Sequence, residues 1–202
     1  MVMKCTKTEM FITPLWEVET GYDEKFNIEL LKEIQNFYKN TDTNNKDSNI
    51  WLAKTPLINQ LKELTLSLVR QHTNDYISPE FTQFDYYHTR GWLNCVMPGD
   101  IIPLHGHGAS KISLTYYLNA PEDCGDLLLV DPRGGVNWEK GNDGVLGTKH
   151  NRVKPKTGSV VFFPSYLLHS VDRNRSNEFR ISVTTDIMTI SKSDVDYLKT
   201  IV

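Results

Sequence analysis

No stretch of this sequence stays apolar for the ~20 residues that a bilayer-crossing helix needs, and residues 1–10 lack the apolar core of a secretory signal. Cysteine is scarce. Cys5, Cys95 and Cys124 are odd in number and share no Cys-x-x-Cys spacing, which favours free thiols in a reducing compartment over a disulfide framework. An excess of one charge is lacking too: a net charge of -3 and a pI near 6.1 make no global electrostatic case for nucleic acid. There is no internal repeat, no Gly-rich phosphate loop and no Gly-x-Ser-x-Gly elbow. The sequon Asn174-Arg-Ser176, without a secretory signal beside it, reads as chance. These absences leave a cytoplasmic protein with no membrane partner. Its 202 residues are most economically one domain, large enough for a core without staples.

What is present changes character part-way along. Residues 11–18 read as an opening strand bent at Thr13-Pro14. Phe26, Leu30, Ile34, Phe37 and Tyr38 then recur at helical spacing. Residues 40–49 are polar and without period, a solvated loop. Leu57, Leu61, Leu64 and Leu68 mark a second helix over 56–76, with Thr55 as its cap and Pro56 in its first turn. Both helices read as supports for a sheet. Strands follow at 92–97, 111–119, 126–130, 160–164 and 180–186, and residues 191–202 close the chain as a short capped helix. Seven or eight short strands behind two helices give a mainly β fold, a double-stranded β-helix or jelly roll. Residues 1–80 support it and 84–188 form its core. The glycine-rich, aperiodic residues 131–153, with Trp138 and Arg152, are longer than an idle connection and read as a lid or substrate-contact surface.

His105-Gly-His107 offers two imidazoles two residues apart, a spacing that puts both on one face of an extended segment. A third comes from His169, placed at the end of the buried run 160–164. Three imidazoles cover one side of a metal ion and leave the remaining positions open. Arg180 then opens a segment whose alternation puts Arg180, Ser182 and Thr184 on one face and Ile181 and Val183 on the other. A buried guanidinium needs an anion, and its planar fork suits a carboxylate, to which Ser182 can add a hydroxyl. His72, His88 and His150 are isolated from this group in sequence and read as surface or core polar residues.

With His105, His107, His169 and Arg180 in this order, the sequence resembles the iron(II) and 2-oxoglutarate dependent oxygenases, most closely a small phage and bacterial group of hydroxylases. Thr115-Tyr-Tyr-Leu-Asn119 and Gly125-Asp-Leu-Leu-Leu resemble the two strands after the first ligand pair in the prolyl hydroxylase branch. The resemblance covers residues 84–188 and implies Fe(II) held by His105, His107 and His169, with oxygen as cosubstrate. It further implies 2-oxoglutarate held by Arg180 and Ser182, with Tyr117 on its distal carboxylate and Asn94 within reach. The activity implied is a dioxygenase that couples decarboxylation of 2-oxoglutarate to hydroxylation of a substrate, which could be protein, nucleotide or small molecule.

One position departs from the family pattern: His107 stands where most of the superfamily has Asp or Glu, which raises the charge of the centre by one and removes a hard oxygen donor. A register with His107 as first ligand and Ala109 in place of the carboxylate, as in halogenating relatives, would leave His105 without a role. His-x-His also opens the cupin motif, but cupins follow it with a Glu where Lys111 and Ile112 stand here, and they give Arg180 and Ser182 no purpose. A non-catalytic module holding zinc through imidazoles is the other competing reading.

Overall fold

The computed structural model describes residues 12–41, 49–73, 84–108, 110–133 and 151–194. Two helices separate the first strand from the others. Helix α1 (Glu24–Asn40) starts at Asp23, whose side chain accepts the Phe26 N–H at 2.8 Å, and its buried Asn27, Leu30 and Ile34 form one stripe. Helix α2 (Pro56–Thr73) buries Ile58, Leu61, Thr65, Leu66, Val69 and Thr73 at the same spacing. Its cap differs from the expectation. The Thr55 hydroxyl is buried without a partner, and the N–H groups of Leu57 and Ile58 donate instead to Glu33 Oε2 of α1, at 3.1 and 3.2 Å. A carboxylate from a neighbouring helix thus does the work of a local cap and ties the two helices together.

Nine strands among the described residues form two antiparallel sheets. They are β1 (Trp16–Glu19), β2 (Phe84–Val96), β3 (Ile102–His105), β4 (Ile112–Asn119), β5 (Leu127–Leu129), β6 (Asn151–Val153), β7 (Ser159–Pro164), β8 (His169–Val171) and β9 (Arg180–Ser191). The larger sheet has the order β1-β7-β4-β9-β2 and the smaller β3-β8-β5-β6. This is the mainly β architecture expected, with helices from the N-terminal part packed on the larger sheet.

Alternation along the central strands builds two cores at once. Leu114 and Tyr116 of β4, Val160 and Phe162 of β7, and Val183 and Ile187 of β9 join Leu30, Ile34, Leu61 and Val69 in the layer under the helices. Tyr117, Val161 and Phe163 point the other way, into the space between the sheets, with Leu127, Leu129, Val153 and Val171. A strand apolar on both faces reads as a continuous run, which is why residues 160–164 showed no alternation.

Several boundaries moved. The opening strand begins at Trp16, and Phe11 lies outside the described residues. The run 160–164 does not lead directly into His169: a turn intervenes, and His169 opens β8 in the opposite sheet. Strand β2 begins at Phe84, with a bulge between His88 and Arg90, and β9 continues to Ser191. Residues 42–48, 134–150 and 195–202 lie outside the described residues, and with them most of the polar loop, the proposed lid and the closing helix.

Two details explain single residues. A Cβ on Gly91 would sit 2.2 Å from Trp51 Nε1, whose N–H donates to Thr185 Oγ1 at 2.9 Å, so only glycine lets the indole cross β2 here. Asn174 of the chance sequon is 1% exposed and donates to the carbonyls of Val96 and Glu178, so its amide has a structural task. Cys95 and Cys124 are free thiols, and Cys5 lies outside the described residues.

Candidate metal and anion site

The smaller sheet brings two of the histidines together. His105 ends β3 and His169 begins β8, and the ladder registers them as direct partners, ring centroids 4.3 Å apart. His107 lies beyond the end of β3, so strand alternation does not place it. Its backbone is held by the His107 N–H donating to Ser165 O at 3.3 Å, and its ring lies 5.4 Å from that of His105 and 5.1 Å from that of His169. One ligand atom from each of the three lies within 4.8 Å of the others, a group that could hold a metal ion. His105 is exposed, His107 half-buried and His169 buried, so the group opens outward on one side.

Each Nδ1 already has an oxygen partner. His105 Nδ1 lies 2.8 Å from Pro103 O, and His169 Nδ1 lies 2.9 Å from Leu167 O. A carbonyl oxygen only accepts, so both nitrogens carry the proton. His107 Nδ1 lies 2.5 Å from Asp186 Oδ1. With the proton on each Nδ1, all three Nε2 lone pairs are free, the form in which imidazole binds a metal. Burial also pushes the His169 pKa down to about 4, which keeps that ring neutral at physiological pH. The Trp92 ring stacks on His107 at 5.6 Å and 28°.

Asp186 and Trp92 were not singled out in the sequence. The signal for Asp186 was available: it continues the Arg180, Ser182, Thr184 alternation by one step. His88 takes the other fate foreseen for an isolated histidine. It is wedged under the helices between Thr185 Oγ1 (2.8 Å) and Thr65 Oγ1 (3.0 Å), with its pKa lowered to about 4 by burial. His72 lies near Phe162, outside the metal group, and His150 is outside the described residues.

The larger sheet supplies the opposite wall. Ser182 registers against both Tyr117 of β4 and Asn94 of β2, and Thr184 registers against Thr115 and Trp92. Arg180 is 2% exposed, with its guanidinium carbon 5.0 Å over the Tyr117 ring and Nη2 3.5 Å from the Tyr117 hydroxyl. Arg180 Nε and Ser182 Oγ are buried with no hydrogen-bond partner, and among the described residues no carboxylate pairs with this guanidinium. A buried cation with unused donors is costly, so the arrangement calls for an anion. Asn94 is already engaged: its Nδ2 donates to Thr184 Oγ1 at 2.8 Å, and its Oδ1 accepts from Trp92 Nε1 at 3.2 Å. Asn94, Arg180, Ser182 and the three histidines line one cavity between the sheets. Tyr117 is fully buried beside it, its phenol pKa raised by burial.

Residues 90–186 match the model of a family described as "Putative 2OG-Fe(II) oxygenase". A search of curated proteins finds no match. Among solved structures, the chain is similar to a Pseudomonas putida prolyl-4-hydroxylase at 17% identity and a TM-score of 0.57, covering 86% of each chain. It is also similar to a viral collagen prolyl hydroxylase from Paramecium Bursaria Chlorella virus-1 at 14% identity and a TM-score of 0.56, covering 92% of this chain and 98% of that one. A 2OG-Fe(II) oxygenase family oxidoreductase from Burkholderia pseudomallei matches at 18% identity and a TM-score of 0.49 over 67% of this chain, which spans 58% of that protein. At these identities the shared feature is the fold: two antiparallel sheets with N-terminal helices.

Proposed function

We propose, from the match of residues 90–186 to the 2OG-Fe(II) oxygenase family model, that this chain is an iron(II)- and 2-oxoglutarate-dependent dioxygenase of the hydroxylase type. The observation that carries this reading is the buried Arg180 guanidinium, without a carboxylate partner among the described residues, in the same cavity as three converging imidazoles. His105, His107 and His169 would hold the iron through Nε2. Arg180, through Nε and its terminal nitrogens, and Ser182, through its hydroxyl, would hold a carboxylate of the keto acid, with the Tyr117 hydroxyl beside them. The Asn94 amide, tied to Thr184 and Trp92, would keep the wall between iron and carboxylate in place. When bound, iron(II) with oxygen supplies the oxidant, while 2-oxoglutarate is decarboxylated to succinate.

The donors fit that cargo. Three neutral imidazoles on one side of an ion leave positions for a chelating keto acid and oxygen. The open, His105 side is the direction from which a substrate would approach. On this reading the protein works in the cytoplasm.

A second reading is favoured by one feature, the lack of a carboxylate in the ligand group: a zinc-holding module, or a three-histidine metalloenzyme that does not use 2-oxoglutarate. It leaves the Arg180 and Ser182 donors unused. Anaerobic titration of iron(II), with and without 2-oxoglutarate, separates the two. The dioxygenase shows a visible charge-transfer band only with both present, and Arg180→Ala abolishes it. Tight zinc binding with no response to 2-oxoglutarate establishes the module.

A further inference from the structure

We propose that Asp186 is the carboxylate of this metal centre, delivering its charge through the His107 imidazole. The inference rests on reading His105, His107 and His169 as metal ligands.

Of the three rings, only His107 has an anion on its Nδ1: the other two donate to backbone carbonyls, whereas His107 Nδ1 lies 2.5 Å from Asp186 Oδ1. Both side chains are largely shielded, with relative exposures of 8% for His107 and 19% for Asp186. A carboxylate on the distal nitrogen fixes ring orientation and makes the imidazole a stronger donor. Shielding from water keeps that interaction strong. Among the described residues no lysine or arginine pairs with Asp186, so the His107 Nδ1–H is the ring donor that faces its charge.

The carboxylate is held in place from behind. Ser110 Oγ lies 3.4 Å from the same Oδ1 and 3.2 Å from Ile112 O, acceptors that share its one proton, and 2.6 Å from Ser165 Oγ, which lies 2.9 Å from Ser113 Oγ. Ser113 is also the registered partner of Asp186 across β4 and β9. The ring it grips is stacked on its face by Trp92. Three neutral imidazoles bring no charge to a divalent ion. His107 and Asp186 together bring -1 through one coordination position, as a directly bound carboxylate would. Asp186 is thus a positioning and charge-supplying residue, one group removed from the ion.

The test is a double-mutant cycle on the full chain, stripped with chelator and titrated anaerobically with cobalt(II), following affinity by calorimetry and the visible cobalt bands. Asp186→Asn keeps the size and a hydrogen-bond acceptor while removing the charge, and it is expected to weaken cobalt binding by about 10–100-fold. In a His107→Ala background, the same change is expected to alter affinity by less than about twofold, because the route to the metal is gone. Should Asp186→Asn fail to fold by circular dichroism, Asp186→Ser takes its place in the cycle. A folded Asp186 variant that binds as tightly as wild type, or one that loses as much affinity without His107 as with it, overturns the proposal. Wild-type protein that binds no cobalt defeats the three-histidine reading instead, so the two failures are distinguishable.

Discussion

The Arg180 guanidinium carbon lies over the Tyr117 ring, 5.0 Å from its centre, and among the described residues nothing accepts a hydrogen bond from Nε. A cation held by an aromatic ring and its hydroxyl, with no carboxylate beside it among the described residues, is waiting for an anion. Two predictions separate that ligand role from a structural one.

In ligand-free protein, Arg180→Met removes an unsatisfied charge and fills the space with apolar atoms. It is expected to leave stability unchanged or raise it by about 1 kcal/mol. Wild-type protein with iron(II) should gain about 2.7 kcal/mol at a 2-oxoglutarate concentration 100 times its Kd, and the variant should gain nothing. Thermal melts under anaerobic conditions, with and without 2-oxoglutarate, read both effects.

Acid should unfold the metal-free protein from a specific window. His88 and His169 have pKa values lowered to about 4 by burial, below the 6.5 they recover on unfolding. Between those values the unfolded chain binds more protons than the folded one. Their contribution is therefore fully present above pH 6.5 and is lost as pH falls toward 4. Each pKa unit is worth about 1.4 kcal/mol, so the two histidines make stability fall steeply there. Urea midpoints measured across this range should decline, and His88→Gln should flatten the decline by roughly half.

The interhelical cap makes a paired prediction. Glu33→Ala leaves the Leu57 and Ile58 N–H groups without their carboxylate and should cost about 1 kcal/mol. Thr55→Val should cost nothing, because its hydroxyl is buried without a partner. Urea unfolding at constant m-value distinguishes them.

Much of this arrangement could be read from residue spacing, because period carries orientation. The stripe through Leu30 and Ile34 gave α1, and the alternation from Arg180 through Ser182 to Thr184 gave the wall of the cavity. What spacing cannot carry is contact between distant segments. Thr55 had the right chemistry for a cap, yet the carboxylate that serves is Glu33, on another helix. His107 has the right distance from His105 for a strand pair, yet it lies past the strand and owes its place to Ser165. Asp186 was visible as the next inward step of β9, but its meaning depends on a ring brought from a distant turn.

The central claim is that the imidazoles and the guanidinium serve one bound unit, so metal and keto acid must assist each other. Anaerobic calorimetry of 2-oxoglutarate binding, with and without iron(II), measures this directly. We expect iron to tighten 2-oxoglutarate binding by about tenfold or more, a coupling of about 1.4 kcal/mol, and expect the coupling to vanish in His169→Ala. Equal 2-oxoglutarate affinity with and without iron, or no binding in either case, would contradict the account.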